Sequence, residues 1–187
     1  MPDRYRKTIH PEANELVEFW HREKGDRPLP GKTSMDPTKL KRWIGDLSII
    51  ELHEGPKRFF VRLHGGRTQD RVGNDMTRCY FEDHLDSGTL EFAVTPYRAS
   101  EKSLLPTHSV FVPCLYPSVF TKLERLVLPF SAEKNVPEDP KVEQFLVWVG
   151  PTGRSNIDDG SVYDKINSEP ASAIDFSGIV ELEILAS

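Results

Sequence analysis

The sequence predicts an α+β domain: a five-stranded antiparallel sheet with helices on its concave face, and an N-terminal helix over the other face or at a dimer interface. Three observations predict it. Two short apolar runs, Leu47 to His53 and Arg58 to His64, are separated by Glu54-Gly55-Pro56-Lys57, which is hairpin chemistry. Three more runs, His108 to Tyr116, Lys122 to Ser131 and Val142 to Gly150, follow with connections too short for crossover helices, so they pair antiparallel. Between them, from about Arg67 to Leu105, the pattern turns helical or irregular.

The elements follow in order. Pro11 suits a first helical position, and Glu12 and Glu15 favour the positive end of the helix dipole. Ala13, Leu16, Val17, Phe19 and Trp20 then recur at helical spacing, and Gly25 is a natural stop. Asp26 to Gly31 is a proline- and glycine-rich connector. Asp36 caps a second helix of about two turns, with Pro37 in its first turn and Leu40, Trp43 and Ile44 as its buried edge. In the second strand, alternation puts Phe59, Val61 and Leu63 on one face and Phe60, Arg62 and His64 on the other. The strand ends in Gly65-Gly66, and a turn-rich loop with an Asp75/Thr77 cap follows, reading as a strand that feeds a cleft-lining loop. Leu90, Val94 and Tyr97 fit a helix that Pro96 kinks or ends. The strand Val142 to Val149 is apolar on both faces over its second half, so a cover is needed, and the Leu16/Trp20 stripe is the candidate. The segment from Pro151 to Ser177 reads as loop, and Gly178 to Leu185 as an extra edge strand or a pairing arm for a second subunit. The chain divides into an N-terminal helix and connector (1–35), the sheet domain (36–150) and a loop-rich extension (151–187).

Composition narrows the function classes. The 24 basic against 29 acidic residues argue against a general nucleic-acid binder. No apolar run approaches the roughly 20 residues of a membrane span. The first residues lack the apolar stretch of a secretory signal, so a cytoplasmic protein is expected. Cys79 and Cys114 are far apart and read as free thiols.

Several segments resemble one family. Trp20 to Gly25, Arg27-Pro28-Leu29-Pro30, Met35-Asp36-Pro37 with Leu40, and Leu47 to Glu51 are similar to the alphaproteobacterial single-domain PAS-like family. Arg58 to Gly65 resembles its central strand, Gly73 to Thr77 the loop after it, and Leu123 to Ser131 its penultimate strand. Two positions depart from the pattern. Arg78 stands where a glycine usually follows the threonine, and the segment after Gly150 exceeds the usual length. The resemblance implies a sensory or regulatory module, mostly of undefined ligand, and not an enzyme.

The residues name no chemistry of their own. None of the six histidines shows metal-ligand spacing. An approach of His53, His64 and Cys114 is weighed against ordinary hydrogen-bonded histidines, and the latter is favoured. The serines lie outside any GxSxG context. Glu82, Asp83 and Asp86 read as helix-start residues rather than a glycosidase pair. Arg62 either anchors an anionic ligand or pairs with Glu51 across the hairpin, and pairing is favoured. Phe59, Phe111, Tyr116, Phe130, Phe145 and Trp148 either line a cavity or fill a core. The pocket candidates are Phe59, Val61, Arg62, His64, Tyr97, Phe111, Cys114 and Tyr116, with no catalytic or metal-ligating set and no cofactor assigned.

The expected function is a non-catalytic module that binds a small ligand, an unidentified protein partner, or both, with no role for nucleic acid or membrane. Output would run through the partner at the N-terminal helix and terminal strand, and adhesive sheet faces favour a homodimer. A small-molecule enzyme using the cup, and a ligand-free scaffold, are the alternatives.

Overall fold

The computed structural model describes residues 10–111, 123–132, 140–151 and 179–185. Helix α1 (Pro11–Lys24) is followed by a 3-10 turn (Lys32–Ser34), α2 (Pro37–Leu40) and a second 3-10 turn (Ile44–Asp46). Strands β1 (Leu47–Leu52) and β2 (Phe59–His64) come next, then α3 (Gly66–Val72), α4 (Phe81–His84) and α5 (Ser87–Ser103). Strands β3 (Thr107–Phe111), β4 (Leu123–Phe130), β5 (Gln144–Pro151) and β6 (Ile179–Ile184) complete the chain.

The sheet is antiparallel throughout, in the order β2-β1-β5-β4-β3-β6. The five expected strands form its body. The C-terminal run adds a sixth at the edge, beside β3, so within the chain it is an edge strand. The register divides the sheet's side chains between two covers. Ser48, Ile50, Arg125, Val147 and Val149 alternate onto the concave face, where α3 to α5 lie.

The opposite face carries Leu126, Leu128, Leu146 and Trp148, all buried. Helix α1 covers it with the stripe predicted: Ala13, Leu16, Val17, Phe19 and Trp20 are its buried residues. The Trp20 indole donates to the Pro129 carbonyl at 2.7 Å, and the His10 ring lies 5.2 Å from that of Trp148. Beneath the start of α1, the buried His108 and Glu124 pair at 3.2 Å, and the His10 backbone N–H donates to the same carboxylate at 2.8 Å. Cover and sheet are thus joined by polar as well as apolar contacts.

The structure decides three local points, of which the first corrects the sequence expectation. Ile44 is 46% exposed, because α2 stops at Leu40 and the chain tightens into a 3-10 turn that rotates Ile44 away from the edge formed by Leu40 and Trp43. Pro96 does not end its helix: α5 runs on to Ser103, and the carbonyl of Pro96 accepts from the Thr107 hydroxyl at 3.0 Å. His53 and His64 do not converge. They sit at opposite ends of the β1–β2 hairpin, His53 beside Glu51 and Tyr80, and His64 opposite Ser48.

Of the paired glycines after β2, only the first is sterically required. A Cβ on Gly65 would lie 2.5 Å from the carbonyl oxygens of both Gly45 and Leu47, whereas Gly66 faces open space. That close approach presses the start of α3 onto the start of β1. Arg67 and Arg71 of α3 then both reach the buried Asp46 carboxylate, and Arg71 also donates to the Val149 carbonyl at 2.6 Å.

Candidate functional site

A β-bulge shapes the site. Ile49 pairs with Leu63 but Ile50 pairs with Val61, so Arg62 is the extra residue on β2. An inserted residue resets the alternation of a strand. Val61 and His64, which simple alternation puts on opposite faces, therefore both turn toward the concave side. Leu63 becomes exposed, and Arg62 points outward with its side chain 61% exposed, pairing with Glu51 at 3.0 Å.

Between sheet and helices lies a cavity of about 370 Å3. The sheet supplies its floor, including Val61, His64, Phe111 and Arg125. Thr68 and Val72 of α3 form one wall, and Phe92, Ala93 and Tyr97 of α5 another. Asn74 and Met76 bring in the loop after α3, as the sequence pattern predicted for a cleft-lining segment. Thr77 N–H donates to the Asp75 carboxylate at 2.9 Å and fixes the turn there.

Among the eight sequence-named candidates, Val61, His64, Tyr97 and Phe111 line the cavity. Phe59 is buried just behind it, its ring 5.8 Å from Tyr97 and 6.3 Å from Phe81. Arg62 is turned away. Cys114 and Tyr116 lie outside the described residues. Of the other aromatics considered, Phe130 and Trp148 belong to the opposite sheet face, and Phe145 packs on Tyr97 at 5.3 Å.

The residue that sequence reading missed is Arg125. It is 7% exposed and borders the cavity. Its Nε donates to Ser109 Oγ at 3.3 Å and its Nη1 to the Ala93 carbonyl at 3.1 Å, while its Nη2 is buried with no hydrogen-bond partner among the described residues. The guanidinium carbon lies 5.1 Å from the Phe111 ring centroid and 5.7 Å from those of Phe92 and Tyr97. Burial lowers its pKa and raises that of Tyr97, and the attraction between the two opposes both shifts. The signal was present in the strand Leu123-Glu124-Arg125-Leu126-Val127-Leu128, where two charges interrupt an otherwise buried run.

Ser48 and Thr68 line the same cavity, and their buried hydroxyls also have no hydrogen-bond partner among the described residues. His64 is half-buried, and its Nδ1 accepts from Met76 N–H at 3.2 Å, which puts the proton of the neutral ring on Nε2. Burial pushes its pKa down, against an opposing pull from Asp75, so the ring is held neutral. No group of three His, Cys, Asp or Glu side chains suited to a metal ion occurs among the described residues. Nor is any helix among them long and apolar enough to cross a membrane.

The loop under the cavity carries a strained residue. Arg78, standing where the resembled family has glycine, adopts φ 65°. A side chain in that region costs about 1–2 kcal/mol, partly offset by the extra chain entropy a glycine loses on folding, about 0.5–1 kcal/mol. Arg78→Gly is therefore expected to stabilise the protein by about 0.5–1 kcal/mol, measured by urea denaturation. A loss of stability would show that the side chain, not the backbone, decides this position.

An antiparallel sheet in this order, with a ligand-sized cavity beneath its helices, defines a PAS-like α+β module. Residues 8–93 match the family model PAS_5, described as a PAS domain, from just before α1 into α5. The matched segment is a little under half of the chain, and together with the sheet it supports a PAS-like fold. No curated protein matches it.

Proposed function

We propose that this protein is a non-catalytic sensory or regulatory module of the alphaproteobacterial PAS-like type, and that the cavity under α5 is its ligand site. One observation carries the reading: Ser48, Thr68 and Arg125 all line one cavity, and Ser48 Oγ, Thr68 Oγ1 and Arg125 Nη2 are buried with no hydrogen-bond partner among the described residues. Buried polar groups are nearly always hydrogen-bonded, because each unmade bond costs about 1–3 kcal/mol. Three such groups around one space of ligand size describe a site completed by something polar.

The non-catalytic reading rests on the match of residues 8–93 to a PAS domain model, since PAS domains are generally sensory. Signalling would proceed by a ligand-dependent shift between conformations of different partner affinity. Helix α1 and the edge strand β6 are the surfaces offered to a protein partner or a second copy, with the cytoplasm as the place of action.

Native mass spectrometry of the purified full chain, compared with the denatured protein, tests the ligand site. A non-covalent small-molecule adduct that disappears on denaturation is the expected result. An adduct-free protein that also shows no thermal shift with small organic acids, alcohols or amides would overturn the reading.

A further inference from the structure

The cavity holds one full charge that nothing described neutralises. Arg125 makes no ion pair among the described residues, and its contacts there are the neutral Ser109 and Tyr97 hydroxyls, the Ala93 carbonyl and three aromatic faces. A buried guanidinium is normally paired with an anion. The lining carboxylate of Asp86 is exposed and already caps α5, accepting from the backbone N–H groups of Gly88 and Thr89 at 3.0 Å each. His64 is held neutral, and His84 is exposed. Among the described residues, the interior of the site therefore carries a single positive charge.

That charge count selects the ligand. A monoanion on Nη2 balances it, while a dianion such as a phosphate monoester brings a second charge into apolar surroundings with no buried cation to meet it. Phe92 and Phe111, which flank the guanidinium, also line the cavity and give the body of a ligand an apolar bed. The Ser48 and Thr68 hydroxyls lie toward the other end. Ser48 is opposite Val147, Val147 is opposite Val127, and Arg125 is two residues along β4 from Val127. Strand spacing and rise then separate the Ser48 and Arg125 backbones by about 12 Å.

We propose that the cavity takes a small organic monoacid, its carboxylate seated on Arg125 and an uncharged hydrogen-bonding group at its far end meeting Ser48 and Thr68. The proposal rests on the reading of this cavity as a ligand site.

Calorimetric titration of the full chain with octanoate, ω-hydroxyoctanoate, octanediol and octyl phosphate tests it. The hydroxy acid binds best, and the diol at least about tenfold more weakly, since a charge-assisted hydrogen bond is lost. Arg125→Gln brings acid and diol to equal affinity. The pair Ser48→Ala with Thr68→Val removes the advantage of the hydroxy acid over octanoate and leaves octanoate binding unchanged. The acid–diol comparison on the unaltered protein stands even where a variant fails to fold. Equal binding of acid and diol, or tighter binding of octyl phosphate, overturns the monoacid proposal and leaves the ligand site standing. Failure of every probe, together with an adduct-free native mass spectrum, removes both.

Discussion

Trp20→Ala is expected to cost about 3–5 kcal/mol of folding stability, the range for deleting a fully buried indole. Trp20 is 0% exposed and is the last and largest residue of the α1 stripe. Its loss opens a void between helix and sheet and also leaves the Pro129 carbonyl without its 2.7 Å donor. Trp20→Phe separates the two contributions. It keeps most of the apolar volume and loses the hydrogen bond, at a cost of about 1–3 kcal/mol. Urea denaturation followed by circular dichroism measures both. An alanine variant within about 1 kcal/mol of the parent, well below the cost of an indole-sized void, would mean that α1 is not an integral cover of the sheet. The expectation is large because the face beneath α1 is continuous with the core: Leu126, Leu128, Leu146 and Trp148 all need that cover.

The second large effect belongs to Asp46. Burial pushes its carboxyl pKa up, but hydrogen bonds from Arg67 and Arg71 outweigh that and hold it below the ordinary carboxylate value. Removing one member of a buried ion pair typically costs about 3–5 kcal/mol. The Arg67 side chain is 54% exposed and that of Arg71 27%, and this solvent access reduces the expected loss for Asp46→Asn to about 2–3 kcal/mol at neutral pH. The pH dependence has a definite sign. A folded-state pKa below the unfolded value means that the contribution is fully present above the unfolded pKa of about 3.9 and is lost as pH falls through the folded pKa. The stability gap between parent and Asp46→Asn should therefore be wide at pH 7 and close in the acid range below about pH 4. A gap that stayed constant across that range would show that the Asp46 carboxylate charge contributes nothing. The consequence reaches the site, because this cluster holds α3 against the sheet and α3 carries Thr68 and Val72 into the cavity wall.

The strained Arg78 and the close-packed Gly65 bracket the same stretch of chain. Gly65 lets α3 approach β1, and Arg78 turns the chain back so that its N–H donates to Val61 at 2.7 Å. The segment between them is thus anchored at both ends to the strands that floor the cavity. Its position links the cavity wall to the β1–β2 hairpin.

Much of this architecture was legible from residue order. The α1 stripe, its stop at Gly25, the Asp36 cap, the hairpin at Glu54 to Lys57 and the strand runs follow from local spacing, and local spacing fixes which face of an element is apolar. The same logic paired Arg62 with Glu51, since residues across a short hairpin are neighbours by construction. What failed locally did so where a single residue changed the phase. Ile44 was turned out by a switch from α to 3-10 winding, and His64 was turned in by the bulge at Arg62.

The amino-acid order by itself determined the class of fold, the need for a cover on the second sheet face and the identity of that cover, because burial periodicity is written along the chain. Only the tertiary structure decided that Arg125, Ser48 and Thr68, drawn from β4, β1 and α3, share one cavity, each with a hydrogen bond unmet among the described residues. Convergence of that kind depends on strand order and register across the sheet, on distances between elements far apart in sequence that no local pattern encodes.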